Sequence, residues 1–125
     1  MPVKTSADHD KQLTIHTVTG EPSFEEGMAA FKQFWEGKPT QNVLWDFRKA
    51  SLTRLSSKET EAMIDYIRQH AEKRAGGKTA ILVSKDFEYG MSRMIKTLTE
   101  FEDFPFKLEI FRSLEEASHW LDKED

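Results

Sequence analysis

Asn42-Val43-Leu44-Trp45-Asp46-Phe47-Arg48 opens on a nearly unbroken apolar run. A strand of this kind is covered on both faces, as strands in parallel sheets are. Residues 78–84, Lys-Thr-Ala-Ile-Leu-Val-Ser, are more apolar still and read as the centre of the same sheet. Between the two strands, Met63, Ile64, Ile67, Ala71 and Ala75 fall on one face of a helix that runs to about Ala75 and closes at Gly76-Gly77. Strand, helix and strand in this order form a right-handed crossover unit.

The same alternation continues outward. Residues 12–19 set Leu13, Ile15 and Thr17 against Thr14, His16 and Val18, a period of two that predicts a strand. Phe24, Met28, Phe31 and Trp35 then mark an amphipathic helix, stopped by Gly37-Lys38-Pro39. Downstream, Phe87, Met91, Met94, Ile95, Leu98 and Phe101 mark another helix, broken at Asp103-Phe104-Pro105. Residues 107–112 read as a strand, and Leu114, Ala117, Trp120 and Leu121 as the apolar face of a last helix. Ser23 with Glu26, Ser56 with Glu59 and Ser113 with Glu116 have the spacing of a capping box. The expected fold is α/β: four β-α turns forming a mainly parallel four-stranded sheet flanked by helices, as one domain over residues 12–125. Residues 1–11 are polar and without period, and are expected to be a flexible arm. Residues 122–125 read as a solvated tail.

Composition narrows the function classes. A chain of 125 residues fits one domain and buries a real core. Cysteine is absent, which excludes disulfides, thiolate metal sites and cysteine nucleophiles. Lys and Arg number 18 against 22 Asp and Glu, so no basic nucleic-acid footprint is expected. No apolar run is long enough for a membrane span, and the first residues lack a signal-peptide core, which points to the cytoplasm. His9, His16, His70 and His119 have no metal-ligand spacing, and no nucleophile-elbow motif is present. The expectation is a non-enzyme with no cofactor and no metal.

The two faces of the sheet read differently. Leu13, Ile15, Val43, Trp45, Phe47, Ile81, Val83, Leu108 and Ile110 form a uniformly apolar set. The alternate set, with Thr14, His16, Asp46, Arg48, Ser84 and Glu109, is mixed. Helices should therefore cover the first face more fully and leave the second partly open or covered by a partner.

Residues 42–48, a short loop, and Ser56-Ser57 opening a helix resemble the core of the STAS domain. Arg74-Ala75-Gly76-Gly77-Lys78-Thr79-Ala80, Tyr89-Gly90-Met91-Ser92-Arg93-Met94 and Phe111-Arg112-Ser113-Leu114-Glu115-Glu116-Ala117 are similar to the stand-alone bacterial SpoIIAA-like branch. That branch is sometimes grouped with lipid-binding Sec14-type domains. The resemblance runs from about Leu13 to Leu121. It implies a regulatory or protein-interaction module related to antagonists of anti-sigma factors. In those antagonists an Asp-Ser-Ser/Thr-Gly run opens the second helix and one serine is phosphorylated. Here the run is Leu55-Ser56-Ser57-Lys58-Glu59, without the preceding acid or the following glycine. Ser56 and Ser57 are the candidate phosphoacceptors, at a helix start where a phosphate meets free N–H groups. The complete capping box equally accounts for Ser56 as an N-cap.

Other candidates lie at the same sheet edge, where open α/β sheets bind ligands. Asp86, Tyr89, Ser92 and Arg93 are expected to line a small polar pocket or partner surface. Asp46 and Arg48 end a strand near it, with Asp46 reading best as a loop-anchoring acceptor. Gly76-Gly77-Lys78-Thr79 precedes a strand and is a turn, since a phosphate loop follows one. Phe101, Phe104 and Phe106 suggest an apolar pocket under the third helix, the basis of an alternative small-molecule or lipid-binding function. The partner expected for the regulatory reading is a protein, with a homodimer among the options.

Overall fold

The computed structural model describes residues 2–123. Its elements are β1 (Val3–Asp8), β2 (Leu13–Gly20), α1 (Phe24–Glu36), β3 (Asn42–Ala50), α2 (Ser57–His70), a 3-10 turn (Ala71–Arg74), β4 (Lys78–Leu82), α3 (Asp86–Phe101), β5 (Lys107–Phe111) and α4 (Leu114–Asp122). The sheet has five strands in the order β1-β2-β3-β4-β5. All neighbours from β2 onward are parallel, and β1 runs antiparallel to β2.

The fold class stands, and the strand count rises by one. Residues 3–8, read from sequence as loose arm, are strand β1, paired from Val3↔Val18 to Asp8↔Leu13. Their polar character fits an edge strand, exposed from Lys4 to Asp8. The extra strand moves the sheet centre to β3, although β4 remains the most deeply buried strand. Of the charged tail, Asp122 belongs to α4, and residues 124–125 lie outside the described residues.

Each parallel step moves to the next strand in the same direction. Right-handed crossovers then place α1, α2 and α3 on one face. There Phe34, Trp35, Val43, Ala71 and Phe106 form one buried cluster, and Ile81, Val83 and Leu108 another. Among the described residues the opposite face is packed by α4 alone, through Leu44, Ala80, Leu82, Ala117 and Leu121. The uneven cover agrees with the sequence reading, but β2 is turned over relative to it. The register pairs His16 with Trp45 and Ile15 with Leu44. Thr14, His16 and Val18 therefore face the three helices, each at most 1% exposed. Leu13 and Ile15 pack at the α4 face instead. β2 places two polar side chains inside and each finds a partner: Thr14 bonds Thr40 at 2.8 Å, and His16 Nδ1 bonds Thr5 Oγ1 at 2.8 Å, while His16 Nε2 has none among the described residues.

Helix boundaries follow their caps. Ser23–Glu26 and Ser56–Glu59 are complete capping boxes. At α4 only the Ser113 half forms, accepting from the Glu116 amide at 3.3 Å. α2 ends at His70, not near Ala75, and continues as the tighter 3-10 turn that carries Arg74 into the interior. Gly76 has φ +84 and its amide donates to Pro105, while a Cβ on Gly77 would stand 2.1 Å from the Gln41 carbonyl. This glycine pair is a tight turn between chain segments.

Candidate functional site

The C-terminal ends of β3 and β4 carry the loop of residues 51–56 and the start of α3. Three bonds clamp the end of β3 and this loop to residues 84–88, where α3 opens. Ser84 Oγ donates to the Arg48 carbonyl at 2.9 Å, Lys85 Nζ to the Ala50 carbonyl at 3.0 Å, and the Leu52 amide to Glu88 Oε2 at 2.9 Å. Glu88 is 1% exposed, and its Oε1 has no hydrogen-bond partner among the described residues. The clamp fixes where α2 begins. Ser56 and Ser57 are both exposed there. Ser56 Oγ accepts from the Glu59 amide at 3.1 Å, and Glu59 returns a bond to the Ser56 amide at 3.0 Å. Ser57 is the first helical residue and lies outside that reciprocal pair.

The remaining sequence candidates divide among four places and do not form one polar pocket. Asp86 and Tyr89 come together around a residue the sequence reading passed over. Arg112 Nη2 bonds Asp86 at 3.0 Å, and its guanidinium carbon lies 4.6 Å from the Tyr89 ring centroid. Arg93 is exposed on α3. Ser92 is 3% exposed and lines an apolar cavity instead. Asp46 and Arg48 stand on the α4 face of β3 as a bidentate pair, with bonds of 3.0 and 2.9 Å. Asp46 also accepts from the Arg48 amide at 3.0 Å, a bond inside β3 and not the loop anchor read from sequence. Partial burial works to raise the Asp46 carboxyl; the Arg48 bonds and charge outweigh it and hold the group below the usual carboxylate range.

Two cavities lie between the three-helix face and the sheet. The outer one, about 120 Å³, is bounded by Phe47, Leu55, Met63, Met91 and Ser92 among others. The inner one, about 70 Å³, is bounded by Arg74, Thr79, Thr99, Phe104 and Phe106 among others. Phe31, Trp45, Ile64, Ile67 and Ile95 wall both. The apolar pocket expected from Phe101, Phe104 and Phe106 thus exists without Phe101, which is 85% exposed and borders neither cavity.

Arg74 sits at the inner end. It is 2% exposed and donates to the carbonyls of Thr40, Gln41 and Lys78 and to Thr79 Oγ1, all at 2.8–2.9 Å. Its guanidinium carbon lies 4.8 Å from the Phe106 ring centroid and 5.5 Å from that of Trp35. Burial lowers its pKa to about 9. His16, stacked on Trp45 at 4.0 Å, is held near pKa 4, lowered first by burial and then by the Arg74 charge. Sequence reading missed both. In the sequence Arg74 stands only within the family-like stretch before Gly76-Gly77, with no role of its own, and His16 falls in the mixed set of the sheet.

No family model matches the chain, and no curated protein matches it in sequence. Two solved structures are similar to it. One is an uncharacterised protein of the DUF3478 family with a SpoIIAA-like fold from Shewanella loihica PV-4. It is 15% identical, covers 95% of this chain and 91% of its own, and superposes with a TM-score of 0.62. The other is an anti-sigma factor antagonist from Mycobacterium paratuberculosis, also 15% identical, covering 97% and 95%, with a TM-score of 0.55. The chain has the SpoIIAA-like fold. No helix among the described residues is long and apolar enough to cross a membrane.

Proposed function

We propose that this chain is a non-enzymatic regulatory module of the cytoplasm that binds a protein partner through the C-terminal end of its sheet. The clamp between the β3–α2 loop and the start of α3 carries this reading. It ties Arg48, Ala50 and Leu52 to the residues that open α3, and in this reading Ser56 and Ser57 on one side of it and the Asp86–Tyr89–Arg112 group on the other make up the partner surface. Similarity of fold to an anti-sigma factor antagonist supports it. So does α3, which keeps Phe87, Met94 and Phe101 at seven-residue intervals outside the core, 50%, 55% and 85% exposed, as apolar surface that a partner covers.

Within this reading Ser57 is the switch residue. A phosphate there adds nearly two negative charges at the N-terminus of a 14-residue helix and leaves the Ser56–Glu59 box intact. Phosphopeptide mapping of protein from its own host tests the site directly. Side-by-side partner capture with wild type, Ser57→Ala and Ser57→Asp tests the consequence. The reading expects phosphate on Ser57 and a partner set that Ser57→Asp alters. An unmodified peptide, with identical partners for all three proteins, removes the switch.

A second reading is favoured by the outer cavity. Engineered apolar cavities of roughly 150 Å³ stay dry and accept small apolar molecules. A cavity of about 120 Å³ under three helices is in that range. The chain then binds a small apolar ligand, and ligand retained in native mass spectra of the folded protein is the expected result.

A further inference from the structure

Resting on the ligand-binding reading, we propose that the two cavities form one site for a single-chain aliphatic monocarboxylate, its carboxylate at Arg74 and its chain running to the outer cavity. The charge balance of the interior points there. A buried cation is ordinarily paired with an anion. Among the described residues no carboxylate pairs with Arg74; its partners are three backbone carbonyls, one hydroxyl and aromatic faces. Those bonds use four of its five N–H groups. The one left is on Nη1, and Arg74 borders the inner cavity. The Arg74 charge also reaches His16, so the interior beside these walls is electropositive.

The walls select the rest of the ligand. Phe31, Ile64, Ile67 and Ile95 line both spaces with purely apolar side chains, and the Trp45 ring joins them. Volumes of about 120 and 70 Å³ suit one chain and are too small for a two-chain lipid. Thr79 and Thr99 place hydroxyls near the head, whereas the outer end is met by Leu55, Met63 and Met91.

Calorimetric titration of the full chain with decanoate and with decanol tests this. Decanoate should bind about tenfold more tightly, the worth of a hydrogen-bonded charge. Affinity should rise about fourfold per methylene from hexanoate to decanoate. Because Arg74 substitutions endanger the fold, the site is blocked instead by Ile67→Trp, at a half-buried wall position; the folded variant should lose both ligands. Equal affinity for decanol and decanoate overturns the Arg74 assignment and leaves an apolar ligand site standing. Absence of binding by either probe to wild type overturns the ligand-binding reading as well. Undiminished binding to folded Ile67→Trp overturns the location.

Discussion

Ser56 and Ser57 are adjacent, exposed and chemically alike, yet their side chains do different work. Ser56 Oγ satisfies an α2 amide that has no carbonyl partner within the helix, and Ser57 Oγ stands outside that box. Ser56→Ala should therefore cost about 1 kcal/mol in denaturant unfolding, while Ser57→Ala stays within about 0.5 kcal/mol of wild type. Equal losses would deny Ser57 the freedom that a switch requires. His16 makes the second residue-scale prediction. Its pKa is about 4 in the folded chain against 6.5 ordinarily. Between those values the unfolded chain holds a proton that the folded chain does not, so stability falls as pH drops through that window. The full loss is on the order of 3 kcal/mol. Unfolding at about pH 7 and about pH 4.5 should show most of the decline, and His16→Gln should flatten it. A His16 imidazole that titrates near its ordinary value by NMR would contradict the burial account.

At the scale of elements, α1 carries a glycine where a helix former would serve the backbone better. A Cβ on Gly27 would meet the Met63 Cε at 2.7 Å, the mobile end of a flexible side chain beside the outer cavity. Gly27→Ala should raise stability by about 0.5–1 kcal/mol, read from the unfolding midpoint, as Met63 turns aside. A loss of stability would show Met63 held fast. The loop clamp gives the next test. Glu88→Ala removes the acceptor for the Leu52 amide, which should lose hydrogen-exchange protection while the β4 amides keep theirs. What the sequence discloses at this scale follows from local signals. Serine caps mark the starts of α1, α2 and α4, and an apolar stripe alone marks α3, because caps and periodicity act within one or two turns. The face of β2 was not legible in this way. Leu13 and Ile15 look more like core than Thr14 and His16, and only Thr40 and Thr5, both distant in sequence, make the polar pair the buried one. Arg74 was hidden for the same reason, since its carbonyl partners at residues 40 and 41 lie 34 and 33 positions away in the chain.

The whole molecule is asymmetric, with three helices over one face and one over the other, and β1 lies at the edge where that asymmetry matters. Nothing in Val3-Lys4-Thr5-Ser6-Ala7-Asp8 announces a strand, because an edge strand with one half-buried residue buries too little to leave a pattern. Its contribution comes from what it adjoins. It pairs six residues with β2, supplies the Thr5 hydroxyl to buried His16, and brings Val3 to the outer cavity. An arm and a strand predict different outcomes for a variant lacking residues 2–9. Loss of a solvated arm changes stability little. Loss of β1 exposes the β2 edge, strips His16 Nδ1 of its partner and opens the cavity, at a cost of about 2–4 kcal/mol in urea unfolding. The β4 and β5 side should keep its exchange protection relative to β2, since α4 and α3 pack there independently of β1. If the deletion is silent, the cavity does not need its β1 wall. If it unfolds the chain outright, the β1–β2 pair belongs to the cooperative core and the ligand site is built on the part of the molecule that can least yield.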